Sequence, residues 1–206
     1  MKIVALYSAY SRNSYSDTAL RVIVDTVRVH YPETSIISYI LPNMISRLST
    51  LESLNQPRPI ISKIGNDLFS SDLVLIGSPI YNFTYSPYLH VLFHELRDRL
   101  LTFDSNGKVI GRNLQGKFVF LSLTGRSSRF RWWTITRYFV AWQFNFLLRF
   151  WGGRSLGCHF VPDCHPDMFE QRREKIIEEM GHVAEKLILR TQHAIMKCNN
   201  CGESTR

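Results

Sequence analysis

The sequence predicts an α/β fold: a doubly wound parallel sheet of five strands in a single domain. Two observations carry that expectation. Short apolar runs rich in branched residues, each bounded by turn signals, recur along the chain, which is how fully buried parallel strands read. Between them lie stretches whose apolar residues recur at helical spacing. With 206 residues, 45% of them hydrophobic, the chain is large enough to bury its own core. The domain is expected over 1–195, followed by a C-terminal tail over 196–206.

Lys2 to Tyr7 reads as the first buried strand. Residues 8–16 form a polar, turn-prone loop carrying Ser8, Ser11, Asn13, Ser14 and Ser16. Ala19, Val22, Ile23, Thr26 and Val27 then recur at helical spacing, with Pro32 beyond the end. Strand, hydroxyl-rich loop and helix make an anion-cradle arrangement, because hydroxyls and first-turn N–H groups suit a phosphate. The loop has no glycine, so neither the Walker pattern nor the dinucleotide fingerprint applies. Ordinary caps and turns use serines as well, so the cluster alone decides nothing.

Ser35 to Leu41 reads as the second strand, Pro42 to Pro59 as loop, and Ile60 to Ser70 as a helix with Ile60, Ile61, Ile64 and Leu68 on one face. Asp72 to Gly77 is the third strand. The polar and aromatic nonapeptide Ser78 to Ser86 follows it, and Ser86-Pro87 is a favoured cap and first-turn pair. That places the nonapeptide at the carboxyl end of a central strand, where open α/β sheets hold ligands. Leu89, Leu92, Phe93 and Leu96 give the next helix a core-facing stripe. His90 and His94 on the same helix have metal-pair spacing, with no third ligand identifiable.

Residues 100–114 read as a turn-rich excursion with hairpin character, around Asp104-Ser-Asn-Gly107. Lys117 to Leu123 is the fourth strand, and Thr124-Gly125-Arg126 is another loop at a strand's carboxyl end. Thr134 to Phe150 is helical and apolar nearly all round. Such a helix is sunk in a core or shared with a second subunit, and at this chain length a homodimer is expected. Ser155 to Val161 is the fifth strand, and Ile176, Ile177, Met180, Val183, Ala184, Leu187 and Ile188 line one face of a long last helix.

The formal charge of +8 and pI near 9.5 suit an anionic small molecule, nucleic acid or a membrane surface. Arg126, Arg129, Arg131 and Arg137 crowd together, as a solvated rim or as an anion grip. Trp132 to Trp151 is too interrupted by Arg137, Gln143, Asn145 and Arg149 to span a membrane. The first residues pass from a short apolar run straight into polar ones, unlike a signal peptide, and four irregularly spaced cysteines make no disulfide framework. A cytoplasmic protein is expected. Cys198-Asn-Asn-Cys201 is half a zinc site at most, and its place in the tail suits a redox motif poorly.

Five strands alternating with helices suit the flavodoxin-like strand order, which puts a ligand among the loops after the first, third and fourth strands. Those are the serine loop, the nonapeptide and the Thr124 loop. Their residues carry a resemblance. Pro79-Ile80-Tyr81-Asn82-Phe83 resembles the Pro-Met-Tyr-Asn-Phe motif of FMN-dependent NADH-azoreductases, which are also NAD(P)H:quinone oxidoreductases. Ser8 followed by Ser14-Tyr15-Ser16 matches the spacing of that family's phosphate loop. Thr102-Phe103, Asn106-Gly107 and Gly116-Lys117 resemble its path into the fourth strand, so the similarity runs to about Val161.

The resemblance implies an FMN whose phosphate is held by Ser14, Tyr15 and Ser16, with Ser8 a cofactor-binding residue at the start of the same loop. Its ring would lie against Tyr81, Asn82 and Phe83, with Pro79 and Ile80 in the same cofactor-binding loop, whose backbone would hydrogen-bond the ring, and with the loop of Thr124 and Gly125 near the pyrimidine end. It also implies NADH or NADPH as hydride donor, a quinone, azo or related conjugated acceptor, and a homodimer with the active site at its interface. No catalytic acid or base is required of the chain, because the cofactor carries the chemistry. The sequence departs from the family at Thr124-Gly125-Arg126-Ser127, where Ser-Arg-Gly-Gly is usual, at Asp104, and in the arginine–tryptophan segment 126–133. Three other readings stand beside it: a flavodoxin-type electron carrier, which the basic charge disfavours; a specialised flavin oxidoreductase for one anionic metabolite; and a non-catalytic binding protein of this fold whose segment 126–133 takes nucleic acid or an anionic membrane.

Overall fold

A computed structural model describes residues 1–10, 14–45, 58–125 and 134–202, with backbone alone at 134–137, 166 and 195–202. Segment 126–133, with Arg126, Arg129 and Arg131, lies outside the described residues, as do Ser11 and Asn13.

Five parallel strands make the sheet: β1 (Lys2–Tyr7), β2 (Ser35–Ile40), β3 (Leu73–Pro79), β6 (Phe118–Thr124) and β7 (Arg154–Val161), in the order β2-β1-β3-β6-β7. The central three are mainly apolar and buried except at Lys2 and Pro79, because helices cover both faces. On one face α1 (Tyr15–His30) packs with α7 (Phe169–Gly202) over Ile3, Ala5, Leu73, Leu75 and Phe120. Three helices cover the other face, α3 (Pro59–Ser70), α4 (Pro87–Glu95) and α6 (Thr134–Phe150), over Val4, Leu6, Val74, Ile76 and Leu121. A buried carboxylate, Glu95 on α4, is held there by an ion pair with Arg58 at 2.6 Å.

Boundaries move where local chemistry outweighs pattern. The strand expected to end at Gly77 continues through Ser78 and Pro79, which pair with Leu123 and Thr124. Leu41, expected to end β2, instead opens α2 (Leu41–Met44), a single turn with Pro42 in its first positions. Residues 46–57 of the expected loop lie outside the described residues. The excursion after α4 is a short turn, α5 (Arg97–Leu100), followed by an antiparallel hairpin of β4 (Leu101–Phe103) and β5 (Val109–Arg112). Gly107 takes φ +76° in its turn, a conformation that glycine adopts without penalty.

The all-round apolar character of α6 resolves into two stripes. Val140, Phe144 and Leu148 are buried against the sheet, while Tyr138, Trp142, Phe146 and Phe150 face outward. On α7, Ile176, Met180, Ala184, Leu187 and Ile188 are buried as expected, whereas Ile177 is 41% exposed and sits off the stripe. The backbone of α7 stays helical to Gly202, so residues 196–202 of the expected tail, with Cys198 and Cys201, extend that helix.

Candidate functional site

The carboxyl ends of β1, β3 and β6 lie side by side, so the loops that leave them converge. Buried serines bolt the first two loops together. Both the backbone N–H and the hydroxyl of Ser8 donate to the carbonyl of Gly77, at 3.1 and 2.8 Å. The Ser86 hydroxyl donates to the carbonyl of Ser8 at 2.6 Å and accepts from Tyr88 N–H as the cap of α4. The backbone N–H of Ser86 donates to Ser78 Oγ at 2.9 Å. All three serines are fully buried. The third loop is tied in by Ile80 N–H, which donates to the carbonyl of Thr124 at 2.8 Å.

At the first loop Ser14 caps α1, accepting from Asp17 N–H at 3.3 Å, and its hydroxyl lies 2.9 Å from that of Ser16. The first N–H groups of a helix have no partner within it, and the helix dipole adds positive potential there. The side chain of Tyr15 points away from this end: its hydroxyl donates to the carbonyl of His165 at 2.6 Å and its ring meets Phe169 edge-on. Asp17 stands in the same turn with Oδ1 buried and unpartnered among the described residues. Burial pushes its carboxyl up to about 6, against smaller lowering by the Ala9 N–H and by Arg21.

The nonapeptide folds into a tight reversal. Tyr81 and Thr84 exchange two backbone hydrogen bonds, each 2.9 Å, with Asn82 and Phe83 between them at φ 45° and 63°. Two successive left-handed residues define the mirror-image type of two-residue turn, and asparagine tolerates that region better than most. Holding a phenylalanine there costs energy that ordinary folding does not require, and such strain gathers at functional sites. The reversal lifts Tyr81 and Phe83 into solvent, 43% and 52% exposed. Behind it, His90 meets Thr84 Oγ1 at 2.9 Å and stacks on Tyr85 with ring centroids 4.2 Å apart. Burial and then the neighbouring His94 lower the His90 imidazole from its usual range, disfavouring its charged form.

Of the eleven residues expected to hold a cofactor, the fold brings all to one end of the sheet, in distinct postures. Ser8 and Thr124 have buried side chains, and the Ser8 hydroxyl is already committed to Gly77, so their place is behind the site. Ser14, Ser16 and the first amides of α1 form one end. Tyr81, Asn82 and Phe83 form the other, and Pro79 and Ile80 are half-buried beneath them. Gly125 lies under both neighbouring loops: its N–H donates to Val161, its carbonyl accepts from Cys164 N–H, and an added Cβ would meet the Phe160 ring at 3.3 Å. Sequence reasoning missed three contributors, Asp17, Gly77 and the loop 162–165. Acids in first turns, glycines at strand ends and short loops are too common to signal a site alone.

These residues fit an FMN. A capped helix start with clustered hydroxyls suits a phosphate, and an outward, aromatic-flanked turn suits a planar ring. Asp17 fits as well when it carries its proton, since a neutral carboxyl beside a phosphate donates rather than repels. Among the described residues no cluster of three or more His, Cys, Asp or Glu could hold a metal ion.

Comparison with known proteins agrees with the geometry. The family model described as NADPH-dependent FMN reductase matches residues 1–131. No curated protein matches the sequence significantly. Among solved structures, the chain is similar to an NAD(P)H:quinone oxidoreductase from Methanothermobacter marburgensis, with 14% identity, TM-score 0.69, and 91% of this chain and 96% of that one covered. An azoreductase from Bacillus anthracis str. Sterne gives 14% identity and TM-score 0.67, covering 90% and 99%. An FMN-dependent NADH-azoreductase from Bacillus anthracis str. Ames Ancestor, solved in complex with FMN, gives 12% identity and TM-score 0.66, covering 91% and 99%.

Proposed function

Because this chain belongs to the NADPH-dependent FMN reductase family and is therefore an FMN-dependent NAD(P)H oxidoreductase, we propose that its flavin lies across the ends of β1, β3 and β6 and serves a conjugated acceptor of the quinone or azo class. The observation that carries this reading is the Tyr81–Thr84 reversal, left-handed at Asn82 and Phe83, in the loop that Ser86 ties to the carbonyl of Ser8 at the end of β1.

In this reading the chain's own work is binding and orientation. The first amides of α1 and the hydroxyls of Ser14 and Ser16 hold the phosphate. Asn82, at the apex of the turn, addresses the edge of the ring, and Tyr81 and Phe83 flank it. Ser8, Ser78 and Ser86 keep the phosphate loop and the turn at a fixed separation. Bound FMN supplies the chemistry, accepting hydride from NADH or NADPH and passing two electrons to the acceptor. A conjugated, flat acceptor is favoured because the exposed surfaces at the turn are aromatic, and because the structural neighbours include proteins described as azoreductase and quinone oxidoreductase. The homodimer implied by the resemblance is part of the proposal, as is a cytoplasmic setting, where NAD(P)H is supplied. Exposed Tyr81 and Phe83 suit cover by a second copy.

The test is an acceptor series under NADPH and under NADH, using a para-quinone, an azo dye and free FMN. Turnover of the quinone or the dye at rates well above that of free FMN supports the reading. Reduction of free FMN alone would replace it with a plain flavin reductase.

A further inference from the structure

Between the edge strand β7 and α7 lies a groove of about 400 Å³, on the face of the sheet that carries α1. It stands well away from the flavin end. Phe169, at the start of α7, meets Tyr15 beside the phosphate loop. The groove is lined by the same helix from Glu179 to Arg190, roughly 15–30 Å further along at 1.5 Å per residue. A second copy seated on the outward stripe of α6 would leave it open, since α6 covers the opposite face. A bulge shapes its strand side. Ser155 pairs with Val119 and Gly157 with Phe120, so Leu156 is an extra residue in β7. Gly157 takes φ +120°, which a side chain would strain. Its bareness also keeps the space clear: beyond its chain neighbours, an added Cβ would meet only Arg190 Nη1, at 3.9 Å.

The charge in the groove is uneven. His182, Lys186 and Arg190 follow one another at i+4 steps on α7, so basic groups line that side over about 12 Å. Glu179 is the one acid of the lining, and His159 already holds it, Nε2 to Oε1 at 3.0 Å. His182 lies 3.9 Å from Glu185. Lys186 and Arg190 are exposed, and neither has an ion-pair or side-chain hydrogen-bond partner among the described residues. Beneath them Leu156, Val183 and Leu187 give the groove an aliphatic wall. Two unpaired cations therefore stand over an apolar trough.

We propose that this groove is a second binding site, for a small carboxylate with an aliphatic body. The carboxylate would lie between Lys186 and Arg190, and the body along Leu156, Val183 and Leu187. A guanidinium presents paired N–H donors whose spacing matches the two oxygens of a carboxylate. Each methylene that the trough takes from water adds to affinity. The volume is at the small end of ligand sites, which run from roughly 300 to 1,000 Å³. A polyphosphate fits less well, because charges beyond the first would rest on leucine and valine.

The test is calorimetric titration of the FMN-loaded full chain with octanoate, beside acetate, octanamide and inorganic phosphate. Octanoate should bind at millimolar concentration or below. It should bind about tenfold or more tighter than acetate, which lacks the body, and than octanamide, which lacks the charge. The double variant Lys186→Ala/Arg190→Ala should weaken octanoate by about tenfold or more, with flavin absorbance and melting temperature kept, since both side chains are exposed. Val183→Phe, which fills the trough and leaves both charges, should weaken it as well; the exposed pair decides the matter if that variant folds poorly. Phosphate bound as tightly as octanoate would make this a plain anion site and overturn the proposal. So would octanoate that binds the double variant like wild type, that binds only when FMN is absent, or that does not bind at millimolar concentration. The readout is heat of binding with the flavin in place, so it stands or falls apart from turnover and acceptor.

Discussion

The hydroxyl of Ser86 donates to the carbonyl of Ser8 across 2.6 Å, joining residues 78 positions apart and locking the loop after β1 to the loop after β3. The same oxygen caps α4. Ser86→Ala removes both roles and leaves a buried carbonyl short of a donor. We expect a loss of about 1–3 kcal/mol in stability by urea denaturation. FMN affinity, read by flavin fluorescence, should fall with it, because the two ends of the site lose their fixed separation. Full stability with normal affinity would show that the bond holds nothing in place.

Asn82 separates a backbone role from a side-chain role. At φ 45° alanine is strained by roughly 1 kcal/mol, while glycine is not. Asn82→Ala should therefore lower the melting temperature and weaken FMN binding. Asn82→Gly should weaken FMN binding by a similar factor, about fivefold for one lost hydrogen bond, with the melting temperature largely kept. Unchanged affinity in both variants would remove Asn82 from the ring's surroundings.

Gly77 is where β3 and α1 touch. A Cβ there would lie 2.9 Å from the carbonyl oxygen of Ser16 and 3.1 Å from Leu20 Cβ. Since the first contact is backbone, Gly77→Ala must push the start of α1 outward, at a cost of about 1–3 kcal/mol. Weaker binding of FMN should accompany the loss, with less effect on riboflavin, which has no phosphate to misplace.

This glycine also marks what was legible in the sequence. The strand–helix alternation, the order of the sheet and the three converging loops follow from apolar pattern and topology, which local residues encode well. The residues 79–83 and 14–16 were legible through their motif. The Ser8–Ser86 bond was not, since each serine reads as an ordinary cap or turn residue until the sheet brings them together. Gly77 reads as a strand terminator, and only the close approach of α1 shows why the strand continues through it. The two stripes of α6 were hidden because both are apolar, so periodicity alone could not tell the buried one from the exposed one.

Asp17 makes a pH prediction. Its carboxyl is pushed up to about 6 by burial, from about 3.9 in an unfolded chain. The folded state therefore binds the proton more tightly than the unfolded state does. Stability from this group is greatest below about pH 4, declines between about pH 4 and 6, and stays lower above. The change is at most about 3 kcal/mol. Asp17→Asn should flatten that decline in melts across the range and stabilise the protein at neutral pH. Wild type should also lose more FMN affinity than the Asn variant as pH rises through about 6, where an ionised carboxylate would face the phosphate. Parallel profiles in the two proteins would place Asp17 away from the phosphate end.

The placement of FMN with its phosphate at the start of α1 is tested most directly by comparing FMN with riboflavin, titrated into the same protein and read by quenching of flavin fluorescence. The two ligands share the ring and differ only in the phosphate. Charge-assisted hydrogen bonds to a helix start are worth roughly 1.5–3 kcal/mol each. The expected result is FMN tighter by about a hundredfold or more, with most of that difference lost in Gly77→Ala. Equal affinity for FMN and riboflavin would contradict the account.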